Sequence, residues 1–359
     1  MKATTSAWLL GMAAALTACG GGGGGGGGSS AVPAGGSASL PADGGTAPAP
    51  APTPTPDTTP APTPTPATTS TTPVTDVPVP TYAADSVEAG VFRVLNDERS
   101  RCGFGKVAQN AKLDTAAAAH TAYLAARWNE SLASSGAMED AGRSGYTGAT
   151  PIERASRAGY AAPVGEYRSY HAMGAAKDYS NALVRTMLAS VYQQVGMLDG
   201  HRDVGASVGF ATQLLPMAIL TWVNGTPQGV PLQNNAEVIT YPCEGSSGVQ
   251  PYVYGESPDP FAGLGIALDR QVGQPIYVRA PAGQSLRLTS ATVIDANGTS
   301  VPVALYHAEQ DPQHQLTASQ AFVVPRMPLA EASRYSVQVQ GTSNGVPFSR
   351  QFSFSTLKF

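Results

Sequence analysis

Side chains that could carry out chemistry are scattered along this chain. Glu166 lies within a strand-like run over 164–170, and a glutamate acts as a general base near neutral pH only where burial raises its pKa. Residues 205–209 match the Gly-x-Ser-x-Gly pattern of esterases, in which the serine stands between a strand and a helix. Here Phe210 continues a strand pattern and no helix follows. We therefore predict that Ser207 is a strand residue.

The histidines are the other side chains that could act near neutral pH, because imidazole titrates there and binds transition metals. His120 lies on the apolar stripe of a helical pattern, which predicts a core histidine with one hydrogen bond. His171 and His201 fall in loop-like sequence beside strands, and His201 could turn toward a cleft of the fold. His307 and His314 are predicted to be surface residues.

The charged residues exclude some partners. Glu139 and Asp140 form an acidic pair in a loop, which predicts a solvated face, with calcium binding as the alternative. The chain has 21 Lys and Arg against 25 Asp and Glu, a net charge of −4. A nucleic-acid partner requires clustered basic residues, and the sequence has no such cluster. No apolar run reaches the length of a membrane-spanning helix.

The N-terminus carries an export signal. Lys2 precedes an apolar segment over residues 7–16, and residues 16–19 read Leu-Thr-Ala-Cys. This pattern resembles the lipobox of bacterial lipoproteins, which implies a signal peptide over 1–18 and a lipid anchor on Cys19. By the same resemblance Gly20 implies sorting to the outer membrane or cell surface. An ordinary secretory signal is the alternative.

The three cysteines fit an oxidising compartment. If Cys19 is lipidated, Cys102 and Cys243 remain as an even pair, which predicts a disulfide between them. Two free buried thiols are the alternative.

Residues 19–82 are predicted to be a disordered linker. An uninterrupted glycine run occupies 20–28, and Pro, Thr and Ala repeat over 48–80 with little apolar surface to bury. Such a segment should stay extended and polyproline-like. At about 3.1 Å per residue it could reach on the order of 100 Å, which predicts a tether.

Helical and strand patterns alternate over residues 83–244, which predicts an α+β layered domain. Asp85 and Glu88 match the N-cap and third position of a first helix that runs to Gly103. Other helices are predicted from Asp114, from Thr150 with a proline at its first position, and over 180–194. Strands are predicted over 164–170, 204–211 and 217–223.

Residues 249–359 contain short strand patterns and no helical one. The first four strand patterns cover 275–278, 286–294, 301–306 and 321–324. Two alternating runs, 335–339 and 348–354, flank a Ser-Asn-Gly turn at 343–345, which predicts a hairpin. The pattern predicts a β-sandwich over 249–359.

A set of short motifs runs through the first of these two regions. The motifs are Val94-Leu95-Asn96 with Arg99, His120 with Tyr123, Gly145-Tyr146-Thr147-Gly148, Arg154, Ala158-Gly159-Tyr160, Gly165-Glu166, Ser190-Val191-Tyr192, Leu198-Asp199 and Val204-Gly205. Their order and spacing resemble the bacterial branch of the CAP superfamily, which includes cysteine-rich secretory proteins, antigen 5 and pathogenesis-related proteins. The resemblance implies an α-β-α sandwich over 83–244. The last region resembles bacterial Ig-like domains.

CAP proteins share a cleft with two histidines and acidic residues, which binds a divalent cation in some members. By resemblance the cleft positions here are Ala137, Glu139, Glu166, Tyr167, Tyr192 and Gln193. Ala137 and Gln193 stand where the two histidines belong, and Tyr167 replaces the asparagine after the family glutamate. Neither alanine nor a glutamine amide supplies imidazole. The resemblance therefore predicts no metal, no cofactor and no catalysis.

The sequence thus favours a lipid-anchored, non-catalytic binding module of the cell envelope, with a lipid or sterol, a glycan or a protein as its ligand. One alternative is a hydrolase that uses Glu166 with Tyr167, Tyr192 or Ser207. Another is a structural or adhesive surface protein that acts through the Ig-like region.

Overall fold

The computed structural model describes residues 72–131, 136–174, 178–254, 256–267 and 269–358. The predicted signal peptide, Cys19 and the linker up to residue 71 lie outside the described residues. Five α-helices and three open sheets make up the described ranges, in agreement with the α+β class. Over these ranges no helix is both long and apolar enough to cross a membrane.

The helices are α1 (Val87–Arg101), α2 (Ala111–Ser131), α3 (Pro151–Arg157), α4 (Tyr179–Met187) and α5 (Val191–Leu198). The first sheet contains β1 (Ala108–Gln109), β2 (Val164–Ala172), β3 (Asp203–Ala211) and β4 (Met217–Gly225). The later strands are β5 (Ile239–Tyr241), β6 (Ser246–Val249), β7 (Ile276–Arg279), β8 (Leu286–Asp295), β9 (Ser300–Val301), β10 (Val303–His307), β11 (Gln320–Pro325), β12 (Arg334–Ser343) and β13 (Val346–Thr356).

Local capping signals set two helix starts. The hydroxyl of Thr150 accepts a hydrogen bond from the Glu153 N–H, and α3 begins at the proline that follows, as predicted. The predicted cap of α1 is wrong by one residue. Ser86, not Asp85, accepts the hydrogen bond from the Ala89 N–H at 3.1 Å. Both hydroxyls satisfy an N–H that has no partner within its helix.

The predicted helix over 180–194 is wrong, because α4 and α5 are separate helices. The backbone of Ser190 is extended (φ −89°, ψ 132°), which interrupts the helix. The N–H of Val191 donates to the Glu256 carboxylate, which lies 65 residues further along the chain. A distant side chain thus supplies the acceptor that a continuous helix would otherwise provide.

The first sheet has the strand order β1-β3-β4-β2, and its two faces pack against different helices. Successive side chains of a strand point to opposite faces. On β4, Ile219 packs with residues of α2, whereas Leu220 and Trp222 join a core cluster with α1, α4 and α5. The predicted strands of this region are confirmed, with bounds one or two residues longer.

The glycines of the esterase-like pattern allow α2 to approach the first sheet closely. A Cβ atom at Gly205 would overlap the backbone of Leu113 in α2, and one at Gly209 would lie 2.6 Å from Thr121 Cγ2. Ser207 lies between them within β3, so its prediction as a strand residue is confirmed. The pattern therefore reflects helix packing on a strand rather than a nucleophile elbow.

The C-terminal region forms two sheets, ordered β10-β11-β7-β5 and β6-β13-β12-β8-β9. One apolar cluster contains side chains from both sheets, including Val278, Val323, Val337 and Phe354. The predicted hairpin is confirmed: β12 and β13 pair throughout, and Asn344 and Gly345 have positive φ values of 48° and 79°. That backbone conformation favours Asn and Gly.

The helical region and the C-terminal region share one hydrophobic core. The ring of Phe104, which follows α1, stacks on Tyr277 of β7, and Tyr277 stacks on Phe322 of β11. Strand β5, from the region predicted as 83–244, pairs with β7. The structure also joins Cys102 and Cys243 by a disulfide, as the cysteine count predicts.

The end of the predicted linker lies against the fold. The Lys106 N–H donates to Val74 O at 2.7 Å, and the Val74 N–H donates to Gln233 Oε1 at 2.8 Å. Further along, the Tyr82 hydroxyl donates to Asp114 at 2.5 Å. Residues 74–82 are therefore a strap that is bonded to the folded region.

Candidate functional site

Five polar side chains from three elements and one loop meet in the interior. His120 lies on α2, Arg154 on α3, Glu166 and Arg168 on β2, and Glu139 in the loop before α3. Each residue is at most 8% exposed. We call this group the central cluster. It brings together two predicted cleft positions, Glu139 and Glu166, and one predicted core histidine.

Local structure explains how these side chains meet. Glu166 and Arg168 are two residues apart on β2 and so share a face of the sheet. The loop that carries Glu139 is bonded at two points: the Glu139 N–H donates to Ala149 O at 3.0 Å, and the Asp140 N–H donates to the Tyr123 hydroxyl at 3.0 Å. The loop therefore directs the Glu139 carboxylate inward.

The Arg154 guanidinium is the centre of the cluster. Its Nη2 atom lies 2.8 and 2.7 Å from the two carboxylate oxygens of Glu166 and also donates to Ala137 O at 2.7 Å. Its Nη1 atom donates to Gly148 O at 2.9 Å and lies 3.8 Å from Glu139 Oε1. The guanidinium thus fills the space between the two carboxylates. Ala137 contributes through its backbone carbonyl.

Glu139 is saturated with hydrogen bonds. Its Oε2 atom accepts the N–H groups of Thr147 at 2.6 Å and Gly148 at 3.2 Å, and its Oε1 atom accepts His120 Nδ1 at 2.9 Å. Burial opposes the charged form, but the hydrogen bonds from His120 and Thr147 and the Arg154 charge outweigh it and lower the pKa of Glu139. The predicted solvated face is wrong for Glu139, whereas Asp140 is exposed.

His120 is fully buried between the two carboxylates. Its Nε2 atom lies 3.3 Å from Glu166 Oε1, but this contact lacks hydrogen-bond geometry, so among the described residues Nε2 has no hydrogen-bond partner. The prediction of a core histidine with one hydrogen bond is therefore confirmed. Sequence reasoning missed its place beside Glu139 and Glu166, since no spacing pattern joins residues 19 and 46 positions apart.

Two of the other predicted cleft positions, Tyr167 and Tyr192, lie elsewhere. Tyr167 points to the opposite face of β2 from Glu166, where it contacts Gly196 of α5. The Tyr192 hydroxyl donates to Asp311 in the C-terminal region at 2.5 Å. Gln193 is buried, and its Oε1 atom has no hydrogen-bond partner among the described residues. Tyr167 and Tyr192 therefore do not join Glu166 in one site.

The remaining candidates are also apart from the central cluster. The His171 ring packs against Tyr179, and His201 Nδ1 lies 3.4 Å from the Thr226 hydroxyl. No hydrogen bond or ion pair within the described ranges joins either histidine to Glu166. Ser207 pairs with Thr221, which pairs with Arg168, so two strand spacings, roughly 10 Å, separate the backbones of Ser207 and β2.

The central cluster can neutralise charge but has little capacity for other chemistry. Arg154 contacts both carboxylates, and Arg168 Nη1 lies 3.3 Å from Glu166 Oε1. A metal ion would need the space and the carboxylate oxygens that Arg154 already occupies, so the residues present do not fit a divalent cation. In the part of the chain that the structure describes, no group of three or more His, Cys, Asp or Glu side chains could hold a metal.

No family model matches the sequence, and no curated protein is significantly similar to it.

Proposed function

We propose that this protein is a lipid-anchored module of the cell envelope with a CAP-type fold, which binds a ligand and catalyses no reaction. The observation that carries the proposal is the position of Arg154 between Glu139 and Glu166. A guanidinium stays protonated and blocks both carboxylates as metal ligands. The Glu166 oxygens both accept hydrogen bonds from Arg154, and Arg168 Nη1 lies 3.3 Å from one of them, so arginines of the fold already pair with this carboxylate.

The arrangement of elements supports the CAP resemblance. Side chains of the first sheet pack with α2 on one face and with α1, α4 and α5 on the other, as an α-β-α sandwich requires. The two C-terminal sheets with an apolar cluster between them support the Ig-like resemblance. The Cys102–Cys243 disulfide supports an oxidising compartment and therefore export.

The ligand would bind on the surface over the central cluster. Met138, next to Glu139, is 52% exposed, and Ile152 in α3 is 51% exposed. The segments that carry these two residues are joined by the hydrogen bond from the Glu139 N–H to Ala149 O. Exposed apolar side chains at this position fit a lipid, a sterol or an apolar face of a protein better than a charged ligand.

A zinc titration of metal-free protein tests the proposal. We expect no stoichiometric zinc binding by the wild-type protein, and no change in its melting temperature. Arg154→Ala should gain zinc binding, because it vacates the space beside His120, Glu139 and Glu166, and zinc should raise the melting temperature of this variant alone. Stoichiometric zinc in the wild-type protein that Glu166→Ala abolishes would overturn the proposal.

Catalysis and the anchor are tested separately. Ester, peptide and peptidoglycan substrates should not be turned over, and any turnover that Glu166→Ala or Ser207→Ala abolishes would contradict the proposal.

In cells fed a fatty acid that carries an alkyne label, the wild-type protein should be labelled and Cys19→Ser should not. A labelled Cys19→Ser protein would contradict the assignment of the anchor.

A further inference from the structure

Four large apolar side chains face solvent at one end of the first sheet. Met173, Phe210, Leu214 and Leu215 are 37%, 44%, 53% and 36% exposed. We call them the apolar tip. Single exposed apolar residues are common, but several at one end of an element indicate a contact surface.

The backbone joins these residues into one structure. The Met173 N–H donates to Pro216 O at 2.9 Å, and Met217, which starts β4, pairs with the last residues of both β2 and β3. The amide oxygen of Asn129 accepts the N–H groups of Thr212 at 3.1 Å and Gln213 at 3.0 Å. The turn between β3 and β4 is therefore supported, so its leucines are presented on an ordered loop.

Aromatic side chains lie directly behind the apolar tip. Trp128 Nε1 donates to Leu215 O at 2.9 Å, and the Trp128 ring stacks on Tyr170 with 5.7 Å between centroids. The edge of Tyr179 contacts Phe210 at a centroid distance of 6.4 Å. Tryptophan and tyrosine combine an apolar ring with a polar atom, which suits the boundary between a bilayer and water.

Charge does not explain this surface. Residues 204–225, which contain β3 after Asp203, the turn and β4, include no Asp, Glu, Lys or Arg. The exposed carboxylates near the apolar tip have partners of their own: Glu130, next to Asn129, pairs with Arg127 at 2.7 Å and with Arg143 at 3.6 Å, and Asp178 accepts the Asn181 N–H at 3.1 Å. The apolar tip itself offers no charge to a partner, which favours an apolar partner.

The predicted tether keeps the folded region close to the membrane that holds the proposed anchor. The strap begins beside Gln233, at the opposite end of the sheet from the apolar tip, and β3 spans roughly 26 Å between the two ends. Residues 20–73 separate the proposed anchor from the strap, and an extended chain of that composition exceeds this span several times.

We propose that the apolar tip inserts into the surface of the bilayer that holds the lipid on Cys19. This inference rests on the proposed anchor. Three or four half-exposed side chains bind a bilayer weakly on their own, but a tether turns the contact into an intramolecular one and strengthens it without new contacts. The folded region would then lie against the membrane, with the apolar tip facing the lipid.

Vesicle binding by the mature chain with Cys19→Ser tests the apolar tip without the anchor. We expect measurable co-sedimentation with phosphatidylcholine vesicles, and at least a tenfold lower bound fraction when Phe210→Ser, Leu214→Gln and Leu215→Gln are combined. In a Trp222→Phe background, which leaves Trp128 as the tryptophan of the mature chain, brominated phosphatidylcholine should quench the fluorescence only when the apolar tip is intact. The matched control is Val230→Gln with Leu232→Gln, two exposed apolar residues in the loop after β4, at the opposite end of the sheet. This control should bind as the parent does.

Three results would overturn the inference: no binding of the Cys19→Ser chain to phosphatidylcholine, equal loss in the control, or binding that requires phosphatidylglycerol. Sedimentation velocity without vesicles gives a fourth, because a dimer that the triple variant abolishes would assign the apolar tip to a second copy. Fatty-acid labelling of the chain with Cys19 intact separates the two proposals. If the Cys19→Ser chain fails to bind vesicles while the chain with Cys19 is labelled, the membrane role of the apolar tip is rejected and the anchor stands. If the chain with Cys19 is not labelled, the anchor is rejected.

Discussion

At the scale of single residues, the central cluster shows how a buried charged group is stabilised. Arg154 donates to two backbone carbonyls and to both oxygens of Glu166, and Glu139 accepts from two backbone N–H groups. Buried charges are tolerated when partners and hydrogen bonds compensate their desolvation. The cluster therefore joins α2, α3 and β2, and its chemistry is directed inward.

The lowered pKa of Glu139 predicts an acid-dependent loss of stability. The folded state binds the proton of this carboxyl more weakly than the unfolded state does. The ionised carboxylate therefore contributes its full stabilisation to the folded state above the unfolded pKa, about 4.3. That contribution is lost as the pH falls from there through the folded pKa. We expect the free energy of unfolding, measured in urea from pH 6 down to about pH 3, to fall less steeply in Glu139→Gln than in the wild type.

Asp140→Asn is the matched control, because this neighbouring carboxylate is exposed. It should retain the wild-type acid dependence within about 0.5 kcal/mol. If Asp140→Asn changed the slope as much as Glu139→Gln did, the buried hydrogen bonds of Glu139 would not be its cause.

Residue roles could be predicted from the sequence only where they are local. The apolar stripe identified His120 as a core residue, and the strand pattern around Ser207 excluded a nucleophile. The burial of Glu139 could not be predicted, because its neighbour Asp140 makes the local pattern polar. Its partner His120 lies on another element, and only the tertiary fold brings the two together.

At the scale of elements, the contact between α2 and β3 depends on glycine. We expect Gly205→Ala to destabilise the protein by about 1–3 kcal/mol, because its Cβ would overlap the Leu113 backbone and backbone cannot move as a side chain can. Urea unfolding gives this difference directly. The cost at Gly209 should be smaller, since its nearest neighbour is the Thr121 methyl group.

Ser207→Ala is the control for this packing prediction. Ser207 lies on the same face of β3, between the two glycines, and is half-buried. Its substitution should change the unfolding free energy by no more than about 0.5 kcal/mol. A Gly205→Ala protein as stable as Ser207→Ala would show that α2 can shift away from the strand.

The elements themselves could be predicted well wherever their signals are local. Apolar, strand-like runs gave the three long strands of the first sheet, alternation gave the β12–β13 hairpin, and Thr150-Pro151 gave the start of α3. The break between α4 and α5 could not be predicted, because the acceptor for the Val191 N–H is Glu256, from a remote loop. Helical periodicity continues through the break, so a local pattern reads as one helix.

Glu256 predicts a pH dependence of the opposite sign. Burial raises the pKa of Glu256 to about 7, and the negative charge of Asp259 acts in the same direction. The hydrogen bond from the Val191 N–H favours the charged form and opposes this shift. The folded state therefore binds the proton of Glu256 more tightly than the unfolded state does. The stabilisation from the protonated carboxyl is lost as the pH rises from the unfolded-state pKa, about 4.3, through the folded-state pKa, about 7. Between pH 5 and 7 the free energy of unfolding should decline by up to about 1.4 kcal/mol per pH unit from this group.

Glu256→Gln removes that proton and should flatten the dependence. Urea titrations at several pH values between 5 and 8 measure it, and Asp259→Asn serves as a control that should keep most of the slope. A Glu256→Gln variant with the wild-type slope would assign the dependence to other groups.

At the scale of the whole molecule, the change in sequence texture after Cys243 does not mark a break in packing. Strand β5 pairs with β7, and Phe104 stacks on Tyr277, so one core crosses the predicted boundary. Composition and periodicity indicated where helices give way to strands. They carry no information on which apolar faces meet, which is why the shared core could not be predicted.

The shared core and the disulfide together predict that the folded region unfolds as one unit. The disulfide closes a loop with a sequence separation of 141, from the end of α1 to the segment before β6, and so constrains the helical region in the unfolded chain. For a loop of that size the chain-entropy model gives about 5 kcal/mol of stabilisation. We expect a single thermal transition by calorimetry, and Cys102→Ala with Cys243→Ala should lower its temperature as a whole. A reducing agent should reproduce that shift in the wild type and leave the double variant unchanged. Two transitions, only one of which responds to reduction, would show that the helical and C-terminal regions unfold independently despite their common core.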